Sequence, residues 1–247
     1  MNIAQLVLLM LTLTCSPVFA GQPLSVVGSE WPPYVDEHRP DGGLSIDLVR
    51  RVLDQAGYHS LFMLENDTSR ALAGARFGVY DIISNIRRSE ELARDVDVTD
   101  AVLSNEPCFI KRKSSDIAYA LMRELNGKKV GVINNMPYPP EFIAAGEVVK
   151  VSLPDLAAAL NALAAGELDL VLGDKREIEY ILFKYMPNDI KALDFLPQCF
   201  QKTDLYAGIS RINPEHAKIL QDFNLALARM KQNGSYQAII DKHIPGH

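Results

Sequence analysis

Apolar positions along this chain follow two alternating rhythms. Short apolar runs bounded by Gly, Pro, Asn or Asp occur at 24–29, 61–64, 80–83, 107–111, 129–133, 149–151, 168–172, 191–195 and 205–210, and each predicts a strand. Between them the spacing changes to that of helices, at 45–57, 68–75, 90–94, 119–125, in an Ala-rich stretch ending at Gly166, in a segment through Tyr185, and from Asn213 and Ser235 onward. Leu48, Val49, Val52, Leu53 and Ala56 share one face of the first helix while Arg50, Arg51, Asp54 and Gln55 face water. Ile219, Leu220, Phe223, Leu227 and Met230 make the same stripe in the long helix after Pro214. Ser45 stands where a helix cap belongs, and Asp47 suits the dipole of the first turn. Ser152-Leu153-Pro154-Asp155 has the spacing of a capping box, and Gly166 fits a C-cap. Strands alternating with helices predict an α/β fold in two units. The polar stretch before Cys108 and the region near 200–206 are the candidate crossings. No strong internal repeat and no long disordered linker interrupts this order.

In α/β sheets ligands bind beyond the carboxyl ends of strands, so the residues just after the apolar runs are the candidates for chemistry. LDLVLGD at 168–174 runs straight into a carboxylate. Asp174 then has two readings, an acid facing a cleft and a cap for the helix that follows. VYDIISNIRR at 79–88 places Ser84, Asn85, Arg87 and Arg88 just past the third strand. A guanidinium is a planar fork matched to a carboxylate, although adjacent arginines need not point together. One exit offers negative charge and the other positive, which makes a clamp for a zwitterion if the fold brings them face to face. After the first strand, the tandem prolines of Glu30-Trp31-Pro32-Pro33-Tyr34 exclude helix and continued sheet. Glu30, Trp31 and Tyr34 are there either as a pocket wall or as a cover for the core edge. Asn134 and Asn135, in the proline-rich stretch 134–141, add hydrogen-bonding candidates, and Lys111-Arg112-Lys113 reads as a solvated edge.

Composition narrows the function. With 247 residues, 48% of them hydrophobic, the chain can bury one large or two modest cores. A net charge of -6 and the lack of a long basic run argue against nucleic acid or an anionic membrane as partner. Residues 1–20 form an apolar segment ending in Val18-Phe19-Ala20, which reads as a secretory signal cut before Gly21 and places the protein in the periplasm. An uncleaved anchor and lipidation at Cys15 are the weaker alternatives. Cys108 and Cys199 then enter an oxidising compartment, as a disulfide or as two small buried hydrophobes. No CxxC, zinc-ligand spacing or nucleophile-base pair is visible, so neither metal, cofactor nor enzyme is expected. A lyase or dehydratase on the same architecture would need a carboxylate with a raised pKa in the cleft, for which Glu30 and Glu141 are candidates.

The order of segments resembles the family 3 periplasmic solute-binding proteins. The matching pieces are SEWPPY at 29–34, GLSIDLVRRVLDQAG at 43–57, YDIISNIRRSEEL at 80–92, LNGKKVGVINN at 125–135, LDLVLGDKREIEYIL at 168–182, and LYAGISR and FNLALARMKQNGSYQAIIDKH within 205–243. The resemblance implies a two-lobed periplasmic binding protein-like fold of type II, its lobes joined by two crossing segments. Residues 21–105 with 206–247 would form the first lobe and 106–205 the second. It implies a monomer that binds an amino acid or related carboxylate for an ABC permease, or serves as the sensing module of a signalling protein. Trp31 and Tyr34 would cover the ligand, Ser84 and Asn85 would contact it, and Asp174 would take its amine. Two departures stand out. Where the family often reads Thr-x-x-Arg, with that arginine on the ligand carboxylate, this chain has Ser89-Glu90-Glu91-Leu92, so Arg88 is the expected substitute and Arg87 the second choice. Asn135-Met136-Pro137 replaces the family's Gly-Thr-Thr type loop.

Overall fold

The computed structural model describes residues 22–244 except Glu91 and Asn135. The export segment, Cys15 and the site candidate Asn135 lie outside the described residues. The first part of the chain forms β1 (Leu24–Gly28), α1 (Leu44–Gln55), β2 (Ser60–Leu64), α2 (Thr68–Arg76), β3 (Ile82–Ile86), β4 (Val96–Val98) and β5 (Leu103–Asn105). It continues through β6 (Pro107–Arg112), β7 (Lys129–Ile133), α3 (Pro140–Ile143), β8 (Val149–Leu153), α4 (Leu156–Ala165), β9 (Leu170–Asp174), α5 (Lys175–Tyr185) and β10 (Leu193–Cys199). It then returns as β11 (Thr203–Ser210), α6 (His216–Asn233) and α7 (Ser235–Lys242).

Two sheets result, ordered β2-β1-β3-β11-β4 and β10-β6-β9-β7-β8, with β5 pairing to β11 beside the first. Each has a parallel trio, β2-β1-β3 or β8-β7-β9, followed by an antiparallel strand, β11 or β6. The two lobes therefore repeat one layout that the sequence does not display as a repeat. The chain passes between them at Glu106 and at 200–202. The crossing strands run side by side, with Thr203 opposite Asn105.

Both sheets are covered on two faces, which is why their central strands are apolar without alternation. Leu170, Val171 and Leu172 of β9 are all fully buried. Val171 and Ile110 pack on α4 and α5, while Leu170, Leu172 and Phe109 pack on Leu125, Phe142 and Val148. In the first lobe, Val26, Ile82 and Ile209 meet α1 and α6 on one face, and Val27 and Ile83 meet α2 on the other. Of the two alternatives for the cysteines the disulfide is realised. Cys108 on β6 is directly opposite Cys199 on β10 and bonded to it.

Several local expectations are corrected. Cys199 lies in a strand, and Val96–Val98 is a strand at whose edge the Asp97 carboxylate meets Arg211 and His216. Only Met122–Leu125 is helical within 119–125, since the Glu124 carboxylate accepts the backbone N–H of Ala120 and Leu121 and closes the turn. Within 90–94 a single turn forms, at Leu92–Arg94. Asp155 caps α4 and Ser152 stays in β8. Arg112 is not a solvated charge. It donates to the Leu163 carbonyl in the last turn of α4 and to the Leu168 carbonyl beyond the helix.

Candidate functional site

The two strand exits singled out from the sequence face one cleft, but not with the expected side chains. β3 extends through Ile86, so Ser84 and Asn85 lie within the strand instead of beyond it. The Ser84 hydroxyl donates to the Val27 carbonyl at 3.3 Å and is buried. Asn85 adopts φ 59°, a left-handed conformation Asn tolerates, and its Oδ1 accepts the Ser45 hydroxyl at 2.5 Å. These two residues join the end of the sheet to the start of α1. Ser45 is spent on that bond, and Gly43 takes the cap position.

Arg88 turns outward, stacking on Tyr206 at 4.7 Å and donating to the Thr99 carbonyl at 3.4 Å. Arg87 turns into the cleft. Its guanidinium lies 5.5 Å from the Trp31 ring centre and donates to Asn105 Oδ1 at 3.1 Å, in the amide orientation that also lets Asn105 donate to the Thr203 carbonyl at 3.0 Å. Of the two arginines, Arg87 and not Arg88 lines the cavity. Burial pulls the Arg87 pKa below its usual value, against the charges of Asp174 and Tyr34. No carboxylate among the described residues lies within ion-pair distance of it.

Across the cleft, both readings of Asp174 hold at once. It ends β9 at the lobe boundary and caps α5. Its Oδ1 accepts the Glu177 N–H at 3.0 Å and the Tyr34 hydroxyl at 2.9 Å, and its Oδ2 accepts the Glu106 N–H at 2.9 Å. Burial raises its pKa despite those bonds, and burial with the neighbouring Asp174 charge lifts the Tyr34 phenol well above its usual value. One turn into α5, Glu177 accepts the Trp31 indole N–H at 3.0 Å. Desolvation pushes its carboxyl up to about 7, with the Trp31 bond opposing and the Asp174 charge adding. Sequence reasoning missed Glu177. The signal was its position three residues after the strand-end acid, which puts both on one side of the helix's first turn.

A third bridge lies farther along α5. The Tyr180 hydroxyl donates to Asp36 at 2.7 Å, with Lys184 at 3.8 Å from the same carboxylate. The loop after β1 thus meets Asp174 and one face of α5 through Trp31, Tyr34 and Asp36, which ties the two lobes together. Trp31 and Tyr34 stack at 4.4 Å. Glu30 is not brought into the cleft. It is exposed and accepts the Glu37 N–H at 3.2 Å, closing its own loop. Asn134 is exposed and accepts the Ser152 hydroxyl at 2.5 Å.

Two adjoining cavities lie beside Arg87. One of about 150 Å³ lies between Arg87, Asn105, Tyr138 and Glu177 over an apolar floor of Leu156 and Leu172. The other, of about 230 Å³, continues past Arg87 and Tyr138 toward Glu141 and Lys202. A cation from one lobe, an acid from the other and an apolar floor suit a non-covalent clamp on a small charged solute.

The model of the bacterial extracellular solute-binding proteins, family 3, matches residues 25–246. ABC transporter arginine-binding protein 1 of Escherichia coli is 27% identical over 226 residues, 89% of each chain. The arginine-binding periplasmic protein of Mannheimia haemolytica is 23% identical over 248 residues, 97% of this chain and 98% of its own. Substrate-binding domain 2 of Lactococcus lactis GlnP, in an open conformation, superposes with a TM-score of 0.74 over 92% of this chain and 97% of its own, at 15% identity.

Proposed function

The chain belongs to the bacterial extracellular solute-binding proteins of family 3, and from that premise we propose that it closes its lobes on an amino acid or related carboxylate and delivers it to an ABC permease. One observation carries the carboxylate. Arg87 is a half-buried guanidinium at a strand exit, facing a cavity, with no carboxylate among the described residues paired to it. A desolvated cation left unpaired is costly, and a ligand carboxylate would complete it with two parallel hydrogen bonds. Tyr138 holds the opposite wall, its hydroxyl accepting the Ile133 N–H at 2.6 Å. The arginine named in the relatives makes amino acids the first class to test. No bond is made or broken. The ligand acts by shifting an open-closed equilibrium, and its differential affinity for the closed form is the usable energy.

Calorimetry of the purified protein against amino acids and dicarboxylates tests the reading. Binding of at least one carboxylate is expected, weakened ~10- to 100-fold by Arg87→Ala, since a charge-assisted hydrogen bond contributes roughly 1.5–3 kcal/mol. Affinity indifferent to that substitution would sink the proposal. Uptake of the labelled ligand by cells lacking the protein separates delivery to a permease, where uptake falls, from a sensing role, where it persists.

A further inference from the structure

Resting on the reading that Arg87 takes the ligand carboxylate, we propose that Asn105 is the positioning residue of that arginine and couples it to the two crossing strands. Ligand held on Arg87 then acts on the pair of strands that joins the lobes.

Asn105 is the last residue of β5, one place before the chain crosses at Glu106. A strand sends alternate side chains to opposite faces. Asn105 and Pro107 accordingly line the cavities beside Arg87, while Ser104 and Glu106 line another cavity, of about 390 Å³, on the other face. The amide is 6% exposed, and both its ends are used. Its Oδ1 accepts the Arg87 guanidinium at 3.1 Å, and its Nδ2 donates at 3.0 Å to the carbonyl of Thr203, the residue opposite it on β11. An amide offers an acceptor at one end and donors at the other, so a single orientation satisfies both neighbours. The reverse sets donor against donor and carbonyl against carbonyl.

Among the described residues no other group accepts a hydrogen bond from Arg87, and the Trp31 ring lies against it at 5.5 Å. A long side chain ordered before the ligand arrives spares binding that loss of freedom. The amide that fixes the guanidinium also joins β5 to β11, so the direction of Arg87 is set from the strand pair. Losing either neighbour leaves a buried amide group unpaired, and the guanidinium and the crossing strands therefore shift together.

A double-mutant cycle of Asn105→Leu with Arg87→Ala, read by calorimetry against L-arginine, L-glutamate and glutarate, tests the positioning. Asn105→Leu is expected to weaken the bound probe about fivefold or more beside Arg87 and less than about twofold in the Arg87→Ala protein, because a residue acting through another loses its effect with that other. Hydrogen exchange at saturating probe tests the coupling. The probe should slow exchange in Leu103–Asn105 and residues 203–205 of the wild type, and not in Asn105→Leu. An equal loss in both backgrounds, or protection that is absent from the wild type or survives Asn105→Leu, overturns the proposal while Arg87 keeps its role. Binding indifferent to Arg87→Ala overturns the reading of the cleft and this one with it. Where Arg87→Ala binds no probe, the exchange result decides alone. Should Asn105→Leu fail to fold, Asn105→Ser, whose shorter side chain withdraws from the guanidinium, is read in the same way. If no probe binds the wild type, both readings fall.

Discussion

β3 and β9 occupy the same place in their two sheets, each the third strand of a parallel trio beside an antiparallel neighbour. Both deliver charge to the cleft, and they differ in how the chain leaves the strand. β3 is left into residues of no regular element, where Arg87 and Arg88 diverge and Arg87 alone of the two lines the cavity. β9 is left directly into α5, so the carboxylate at the exit caps that helix while it borders the cleft, and Glu177 lines the same cavity one turn later. Which side chains line the cleft after a strand therefore depends on what element follows it. A residue of the right chemistry in the right place along the sequence is not sufficient.

The largest expected effect tests an asymmetry next to these exits. Only the second lobe carries the clip, and Cys108 is also opposite Gly173 on β9, one residue before the acid. The bonded cysteines are 91 residues apart. Loop-closure entropy makes a link of that length worth about 4 kcal/mol. The double substitution Cys108→Ser with Cys199→Ser should lower the denaturation free energy by roughly that amount, with β9 losing amide-exchange protection before β3. Equal loss in both lobes would remove the asymmetry.

The next effect separates the two arginines. Against a fall of ~10- to 100-fold for Arg87→Ala, Arg88→Ala should change ligand affinity less than about threefold, because a surface guanidinium on an aromatic contributes roughly 0.5–1 kcal/mol, and here to stability. A large binding loss in Arg88→Ala would mean that the two side chains exchange places in solution.

Asp174→Ala removes a helix cap and strands the buried Tyr34 hydroxyl. A loss of about 2 kcal/mol in folding stability is expected by urea denaturation. Glu177→Gln, on the same helix turn, should be neutral or stabilising above pH 7, since it removes a desolvated acid. If both destabilise equally, the two acids do not differ in the support they give the fold.

The smallest effect is a pH dependence. Glu177 moves from the ordinary 4.5 in the unfolded chain to about 7 when folded. A raised pKa means that its contribution is fully present below pH 4.5 and is lost as pH rises to about 7. The loss is of order 1–2 kcal/mol, discounted because the side chain keeps some solvent contact. Asp174 is raised as well and acts in the same direction, whereas Asp47 and Asp97 are lowered and act oppositely. The difference between wild type and Glu177→Gln isolates the one group. Urea midpoints from pH 4.5 to 8 should converge at the acid end, and Trp31 emission should titrate near pH 7 in the wild type alone. A flat Trp31 titration would contradict the burial of Glu177.

The alternation of apolar runs determined the α/β architecture by itself, because burying both faces of a parallel strand demands an unbroken run such as Leu170–Val171–Leu172 and burying one helix face demands the spacing of Leu48, Val52 and Leu53. The same reasoning located the strand exits, the proline-rich loops beside the cleft and the capping glycine at 166. Only the tertiary structure decided that Arg87 and not Arg88 turns inward, that Ser84 and Asn85 serve the scaffold, that Glu30 closes its own loop, and that Trp31 joins Arg87 to Glu177. Burial patterns follow from local periodicity, which one segment carries alone. Which polar group stays free depends on partners 140 or 146 residues away, as for Tyr34 with Asp174 and Trp31 with Glu177, and no local pattern encodes that distance.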